Sequence, residues 1–311
     1  PPPRRFHFGL RIAFLIILVI CAGFALLGGG LRQASRNRLA LEEHTKFEAR
    51  MQALGGSVNY EYIGRTPDGL DELLGDPGAR FISSIEGNSS FGDAGLSELR
   101  ELTRLRTLML PSTQVTDAGL AHLSGLTDLQ RLNLRGTQVT DAGLVHLHFL
   151  RNLETLDLGG TQVTDVSMAQ VGRLTGLHQL NLTNSPVTDS GLAYLQGLDN
   201  LADLDLSGTR VTDSGLKRLG KHLQLDSLDL SRCSLTNVDG LRGLFGLERL
   251  RLDDCVHLTN VEGLQGLTGL QSLHLGGCDA LTSVDGLQGL PALKSLDLDG
   301  CDALSDVDGL Q

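Results

Sequence analysis

Leucines recur along the chain in the pattern L-x-x-L-x-L, with mostly polar residues between them. Copies begin at Leu105, Leu129, Leu153, Leu177, Leu201, Leu225, Leu247, Leu270 and Leu293, spaced 24 residues five times and then 22, 23 and 23. A self-similar period of that length marks a stacked array and decides the fold before any local reading does. Within a copy, the L-x-L alternation predicts a short strand whose leucines point inward while the residues between them face solvent. A turn such as "GTQV" at Gly136 follows. Thr-Asp ahead of "AGLVHL" then predicts a helix N-cap followed by apolar residues at helical spacing. "ISSIEG" from Ile82, followed by "DAGL", reads as a degraded first copy. Each unit is therefore strand, turn and helical arm. Ordering 24 residues costs more conformational entropy than one unit's leucines return, so a unit folds only against its neighbours.

Ahead of the array the pattern changes. Residues 1–11 form a basic tail. From Ile12 to Leu31, 20 residues run without a charge, enough for a helix to span a hydrocarbon core of roughly 30 Å. A transmembrane helix is expected there in preference to a secretory signal peptide, because the apolar run exceeds a usual signal core and no clean small-x-small cleavage site follows. Arg4, Arg5 and Arg11 on one side nearly balance Arg32, Arg36 and Arg38 on the other. The short basic tail favours an inside N-terminus and an exported body, periplasmic or on the cell surface.

Residues 32–81 are expected to form an amphipathic helix and an N-terminal cap. Leu39, Phe47, Met51 and Leu54 supply the apolar positions, and Gly55 with Gly56 the C-cap. "SVNYEYI" reads as a half-buried strand and "TPDGLDELLG" as a short helix from near Pro67. The repeat domain is expected over residues 82–311, with 24-residue units to about residue 224 and 22–23-residue units after it. The chain opens on "PPPRRFHFGL" without a Met and stops at "DGLQ" inside a repeat, which reads as truncation at both ends.

Charge sharpens the division. Residues 1–50 hold eight Lys/Arg against three Asp/Glu, net +5, and residues 51–311 hold 18 against 34, net -16. An acidic body excludes nucleic-acid binding, which needs clustered Lys and Arg.

The nine copies resemble the leucine-rich repeat family, over about 230 residues from Ile82. The resemblance implies an α/β solenoid with a concave parallel sheet, a helical or turn-rich convex side, and use in binding proteins. The "GTxVTDxGLxxLxxL" style, the "RRFHFGLRIAFLIILVI" segment and "ALGGSVNYEY" resemble membrane-anchored leucine-rich repeat proteins of planctomycete-type bacteria. The last units, "LTNVEGLQGLTGLQSL" and "LTSVDGLQGLPALKSL", are similar to shorter repeats of the internalin style, so a shorter outer arm and a changed curvature are expected near Leu225.

Candidate chemistry is sparse. Cys233, Cys255, Cys278 and Cys301 fall where earlier units carry Thr113, Thr137, Thr161, Ser185 and Thr209. A slot that accepts Thr, Ser and Cys reads as a small side chain bonding the turn backbone, not as a zinc or disulfide site. The solvent-facing strand positions form a column: Met109, Asn133, Asp157, Asn181, Asp205, Asp229, Arg251, His274 and Asp297. Its neighbour includes Arg135, Ser207, Ser231, Asp253 and Asp299. Asp157, Asp205 and Asp229 make an acidic stripe that either stays hydrated, meets a cation or faces a partner. The candidate partner-binding set is Asn133, Arg135, Asp157, Asn181, Asp205, Asp229, Arg251, His274 and Asp297. His122 and His146 align on the outer arm without a third ligand. No triad order, phosphate loop or His-Glu-x-x-His helix is present, so no catalysis, cofactor or metal is expected. The reading is a membrane protein, anchored through residues 12–31, whose repeats bind another protein through the concave face. A self-associating or polymer-contacting cell-envelope protein is the alternative, and an adaptor recruiting an enzyme through a region not present here a further one.

Overall fold

A computed structural model of the chain describes residues 42–62, 80–219, 225–305 and 307. The predicted membrane helix over 12–31, the basic tail and the short helix near Pro67 lie outside the described residues. Among those described, no helix is long and apolar enough to cross a membrane. The chain divides into two compact units, residues 1–50 with 60–81, and residues 51–59 with 82–311. In the first, residues 42–50 are helical, Lys46 pairs with Glu43 at 2.9 Å, and the His44 ring stacks on Tyr60.

In the second unit, Met51 is fully buried. The chain leaves the helical conformation through Gly55, whose φ of +81° is the left-handed geometry expected of a glycine C-cap. Among the described residues, eleven strands follow in sequence order in one sheet: β1 Gly56–Tyr62, β2 Arg80–Gly87, β3 Thr107–Met109, β4 Arg131–Asn133, β5 Thr155–Asp157, β6 Gln179–Asn181, β7 Asp203–Asp205, β8 Ser227–Asp229, β9 Arg249–Arg251, β10 Ser272–His274 and β11 Ser295–Asp297. From β2 onward every neighbouring pair is parallel and in the register of the repeat, with Ile85 opposite Leu108 and Leu108 opposite Leu132. The degraded copy at Ile82 thus lies in register with the copy that follows it.

Leucine alternation places the core as the pattern predicts. In one unit Leu153, Leu156, Leu158, Val163, Met168 and Val171 are all 0% exposed. Burying side chains of that size contributes about 1.5–3 kcal/mol each relative to exposure. The chain turns after each strand through a left-handed residue. That slot is glycine at 136, 160, 208, 277 and 300, and Ser112, Asn184, Arg232 and Asp254 occupy it elsewhere.

The outer arms are α-helical or 3-10 turns over Asp93–Ser97, Asp117–Leu123, Asp141–Phe149, Asp165–Val171, Asp189–Gly197 and Asp213–Leu219. From the unit that starts at Leu225 onward they contract to single 3-10 turns, Asp239–Leu241, Glu262–Leu264 and Asp285–Leu287. The shorter repeats there have no residues to spend on a longer arm.

The Thr-Asp pair does more than start a helix. Thr116, Thr140, Thr164 and Thr188 cap their own arms, accepting from the backbone N–H two residues on. The Asp beside each one reaches into the next unit. Asp117 accepts from the Thr140 backbone N–H at 2.8 Å and from its hydroxyl at 2.6 Å. The same two bonds join Asp93 to Thr116, Asp141 to Thr164, Asp165 to Thr188, Asp189 to Thr212 and Asp213 to Thr236. The glycine that follows is required by this bond. A Cβ on Gly191 would stand 2.6 Å from Asp165 Oδ1. Where Ser167 replaces the glycine, its hydroxyl donates to the Thr164 carbonyl at 3.0 Å.

Candidate functional site

Strand register sets the predicted column in one continuous row. Asn133 lies opposite Asp157, then Asn181, Asp205, Asp229, Arg251, His274 and Asp297, one residue per strand from β4 to β11. Arg135 sits two residues beyond β4 in the neighbouring column. Across β5 to β9 the row and the adjacent positions line a groove of about 340 Å³, with Asp157, Gln179, Asn181, Asp203, Asp205 and Asp229 among its walls.

The acidic stripe is not simply hydrated. Each carboxylate or amide spends one oxygen on the turn that ends its own strand. Asp157 Oδ1 accepts from the Gly159 N–H, Asp205 Oδ1 from the Ser207 N–H and hydroxyl, and Asp229 Oδ1 from the Ser231 N–H and hydroxyl, the backbone bonds all at 2.9 Å. Asn133 and Asn181 do the same with amide oxygens. This is an Asx-turn, in which Asp or Asn bonds the backbone two residues on. The signal for it stood in the sequence as an Asp or Asn two residues ahead of the turn in most units. The second oxygens of Asp205 and Asp229 meet side chains of the neighbouring strands. Asn181 separates Asp157 from Asp205 and donates to Asp205 Oδ2 at 3.4 Å. Like charges are thus diluted on β6.

Two arginines close the acidic stretch. Arg251 lies 3.5 Å from Asp229 Oδ2 and 3.1 Å from Asp253 Oδ2. Arg249 reaches across β8 to Asp203 Oδ1 at 3.5 Å. Asp203, Gln179 and Arg249 occupy the strand position two residues before the row, which the sequence reading left out of the candidate set. These ion pairs are exposed and contribute little to stability; they set the charge pattern a partner would meet.

Burial pushes the Asp157 carboxyl above its usual range. The Gly159 N–H and the Arg135 charge pull it back, and the Asp205 charge adds to the rise. A carboxyl raised by folding contributes most at low pH, and that contribution is lost as pH rises through its folded value. Asp157→Asn is therefore expected to raise the Tm at pH 7 by on the order of 1 °C, because the amide keeps the turn as Asn133 and Asn181 do. The gain should shrink as the pH falls to where Asp157 is itself protonated. A thermal melt showing a lower Tm at pH 7 would contradict this account.

The cysteine column is structural in geometry. Cys233, Cys255 and Cys278 are buried and all four are free. Their thiols donate to carbonyls of the preceding unit, Cys255 Sγ to Leu230 O at 3.3 Å and Cys278 Sγ to Leu252 O at 3.2 Å. The threonines of the same slot instead donate within their own unit, Thr137 to Leu134 O at 2.7 Å. Burial pushes the Cys278 thiol up to about 12, helped by the neighbouring Cys301. A thiol held protonated is a poor nucleophile and a poor metal ligand. On the outer arm, His122 accepts from Arg100 Nε at 3.0 Å.

Asp253, His274 and Asp297 bring ligand atoms within 4.8 Å of one another. His274 and Asp297 share one column and Asp253 lies in the next, so it is the lean of the side chains between columns that brings the three together.

Three segments of the array, residues 125–147, 149–169 and 200–220, match the family model described as Leucine Rich repeat. No curated protein matches the chain. Among solved structures, internalin C2 of Listeria monocytogenes is 27% identical with a TM-score of 0.52, over 62% of this chain and 80% of that one. The leucine-rich repeat ectodomain of the plant membrane receptor kinase GASSHO1/SCHENGEN3 from Arabidopsis thaliana, in complex with CASPARIAN STRIP INTEGRITY FACTOR 2, is 23% identical with a TM-score of 0.49. That match covers 65% of this chain and 25% of the receptor chain. Repeat segments that match, a parallel sheet running in strict sequence order and the likeness to internalin C2 together give the array a leucine-rich repeat solenoid-like fold.

Proposed function

We propose that the chain is a membrane-anchored binding protein whose repeats hold another protein against the open face of the sheet, without catalysis. The carrying observation is the row from Asn133 to Asp297. Eight strands present one polar side chain each at fixed register, and the groove over β5 to β9 offers carboxylate oxygens that the turns do not consume. A rigid backbone that spaces charges regularly suits recognition of a partner with complementary charge. Leucine-rich repeats are a common protein-binding module. The net charge of the body and Asp157, Asp203, Asp205 and Asp229 favour a partner that brings Lys or Arg to the groove. The row lacks Trp and Tyr, which commonly dominate tight interfaces, so binding is expected to be salt-sensitive and of moderate strength. The anchor reading rests on the uncharged run from Ile12 to Leu31, export on the short basic tail, and the bacterial, planctomycete-type origin on the repeat style together with that segment.

One experiment tests the reading. The full chain and its Asp157→Asn/Asp205→Asn/Asp229→Asn variant are expressed in cells, fractionated and chemically crosslinked. Asparagine keeps each turn bond and removes only the charge. Both proteins are expected in the membrane fraction. The wild type should carry a crosslinked partner that high salt weakens, and the variant should lose it. An identical set of crosslinked partners on the variant would overturn the groove as the binding surface. Crosslinking to further copies of this chain alone would favour self-association.

A further inference from the structure

We infer that Asp253, His274 and Asp297 form a binding site for a divalent ion of the zinc class on the open face of the sheet. One ligand atom from each residue lies within 4.8 Å of the ligand atoms of the other two. His274 Nδ1 stands 3.8 Å from Asp297 Oδ2. That is too long for a hydrogen bond, and it is close to the span bridged by one ion roughly 2.0–2.2 Å from each ligand. The spacing is set by backbone, since His274 and Asp297 are register partners on β10 and β11 and Asp253 follows β9 by two residues.

Gly276 leaves room beside these atoms, as Gly159 does in the β5 unit, but only at Gly276 does an imidazole stand in the row. In the β7 and β8 units the residue two positions past the row is Ser207 or Ser231, and its hydroxyl donates to Oδ1 of its own strand's carboxylate at 2.6 Å. In the β10 unit that position is Gly276. A Cβ there would lie 3.3 Å from Asp253 Oδ1, 3.5 Å from the Asp299 carbonyl oxygen and 3.8 Å from Asp297 Oδ2. The glycine thus leaves, among three oxygens, the room that a serine side chain fills two strands away. Asp297 Oδ1 takes the Asp299 N–H at 3.0 Å, which leaves Oδ2 turned toward the imidazole.

The donor set selects the ion. An imidazole with two carboxylates suits zinc and its first-row neighbours, with a further position left for water. Calcium and magnesium prefer all-oxygen shells of more ligands. Two groups compete with the ion at Asp253: the Gly276 N–H donates to Oδ1 at 3.1 Å, and the Arg251 guanidinium to Oδ2 at 3.1 Å. Arg251 is half exposed and already lies 3.5 Å from Asp229 Oδ2. Binding of an ion therefore asks only that the guanidinium shift toward Asp229, so the ion and the arginine exchange places on one carboxylate.

The test is calorimetric titration of zinc chloride into the full chain, purified without a histidine tag, alongside His274→Ala, Asp297→Asn and, as control, His146→Ala on the outer arm. The wild type and the control should bind one ion per chain, saturably. The two site variants should bind at least about tenfold more weakly, with circular dichroism unchanged because both side chains are on the surface. Equal binding by wild type and His274→Ala overturns the site, as does a wild type that takes up no zinc. Loss of binding in His146→Ala instead would place the ion elsewhere and overturn it too.

Discussion

Gly263→Ala is expected to cost the array about 3 kcal/mol or more. Gly263 lies in the 3-10 arm Glu262–Leu264, and a Cβ on it would run into the carbonyl of Val238 and the N–H of Asp239 in the arm before. Those are backbone atoms, which cannot swing aside as a side chain would. Gly240 and Gly286 meet backbone of the preceding arm in the same way. Two further glycines provide the contrast. Gly289 has open space but a φ of +77°, so alanine there should cost roughly 1–2 kcal/mol from backbone strain alone. Gly197 has neither a neighbour within 4 Å nor a positive φ, so its replacement should fall within about 0.5 kcal/mol of wild type. Urea denaturation of the three variants should give that order. Equal losses would mean that the arms do not stack as closely as described.

The second large effect is expected at Asp141. Its carboxylate accepts two bonds from Thr164, at 2.8 and 2.6 Å, and is the lateral tie between two arms. Asp141→Ala strands the Thr164 N–H and hydroxyl at a helix start, and should cost about 2 kcal/mol. The pH dependence separates this from a packing effect. Burial works to raise the Asp141 carboxyl, and the bonds from Thr164 and Ser167 outweigh it, so the carboxyl lies below its usual value. A carboxyl lowered by folding stabilises above its unfolded pKa, and that contribution is lost as pH falls through the lowered value. The gap between wild type and Asp141→Ala should therefore be widest near neutrality and narrow in acid. A gap independent of pH between 7 and 2 would show that the carboxylate's charge is not what holds the arms.

Most of the fold was legible because its signals are local and repeated. L-x-L alternation put the leucines on the correct side of a three-residue strand, and Thr-Asp marked the start of the five arms from Asp117 to Asp213. The contraction after Leu225 showed as a change of period. What could not be read was sideways. The Asp117–Thr140 bond joins residues 23 apart, and nothing within one unit distinguishes it from an ordinary helix cap. The acidic stripe looked like charge available to solvent, because counting residues per column does not show that Asp157, Asp205 and Asp229 each commit an oxygen to a turn. The convergence of Asp253 with His274 and Asp297 depends on how far a side chain leans between columns. Asp203 and Arg249 were missed because their contact skips a strand.

The Asp–Thr ties run from Asp93 to Thr236 and stop there. Beyond, Thr259 and Thr282 reach back only to the main-chain oxygens of Thr236 and Thr259. The flank is thus tied through side-chain carboxylates for its first stretch and through main-chain oxygens after it. A tug or a rise in temperature is therefore expected to open the short 3-10 coils more easily than the arms that carboxylates tie.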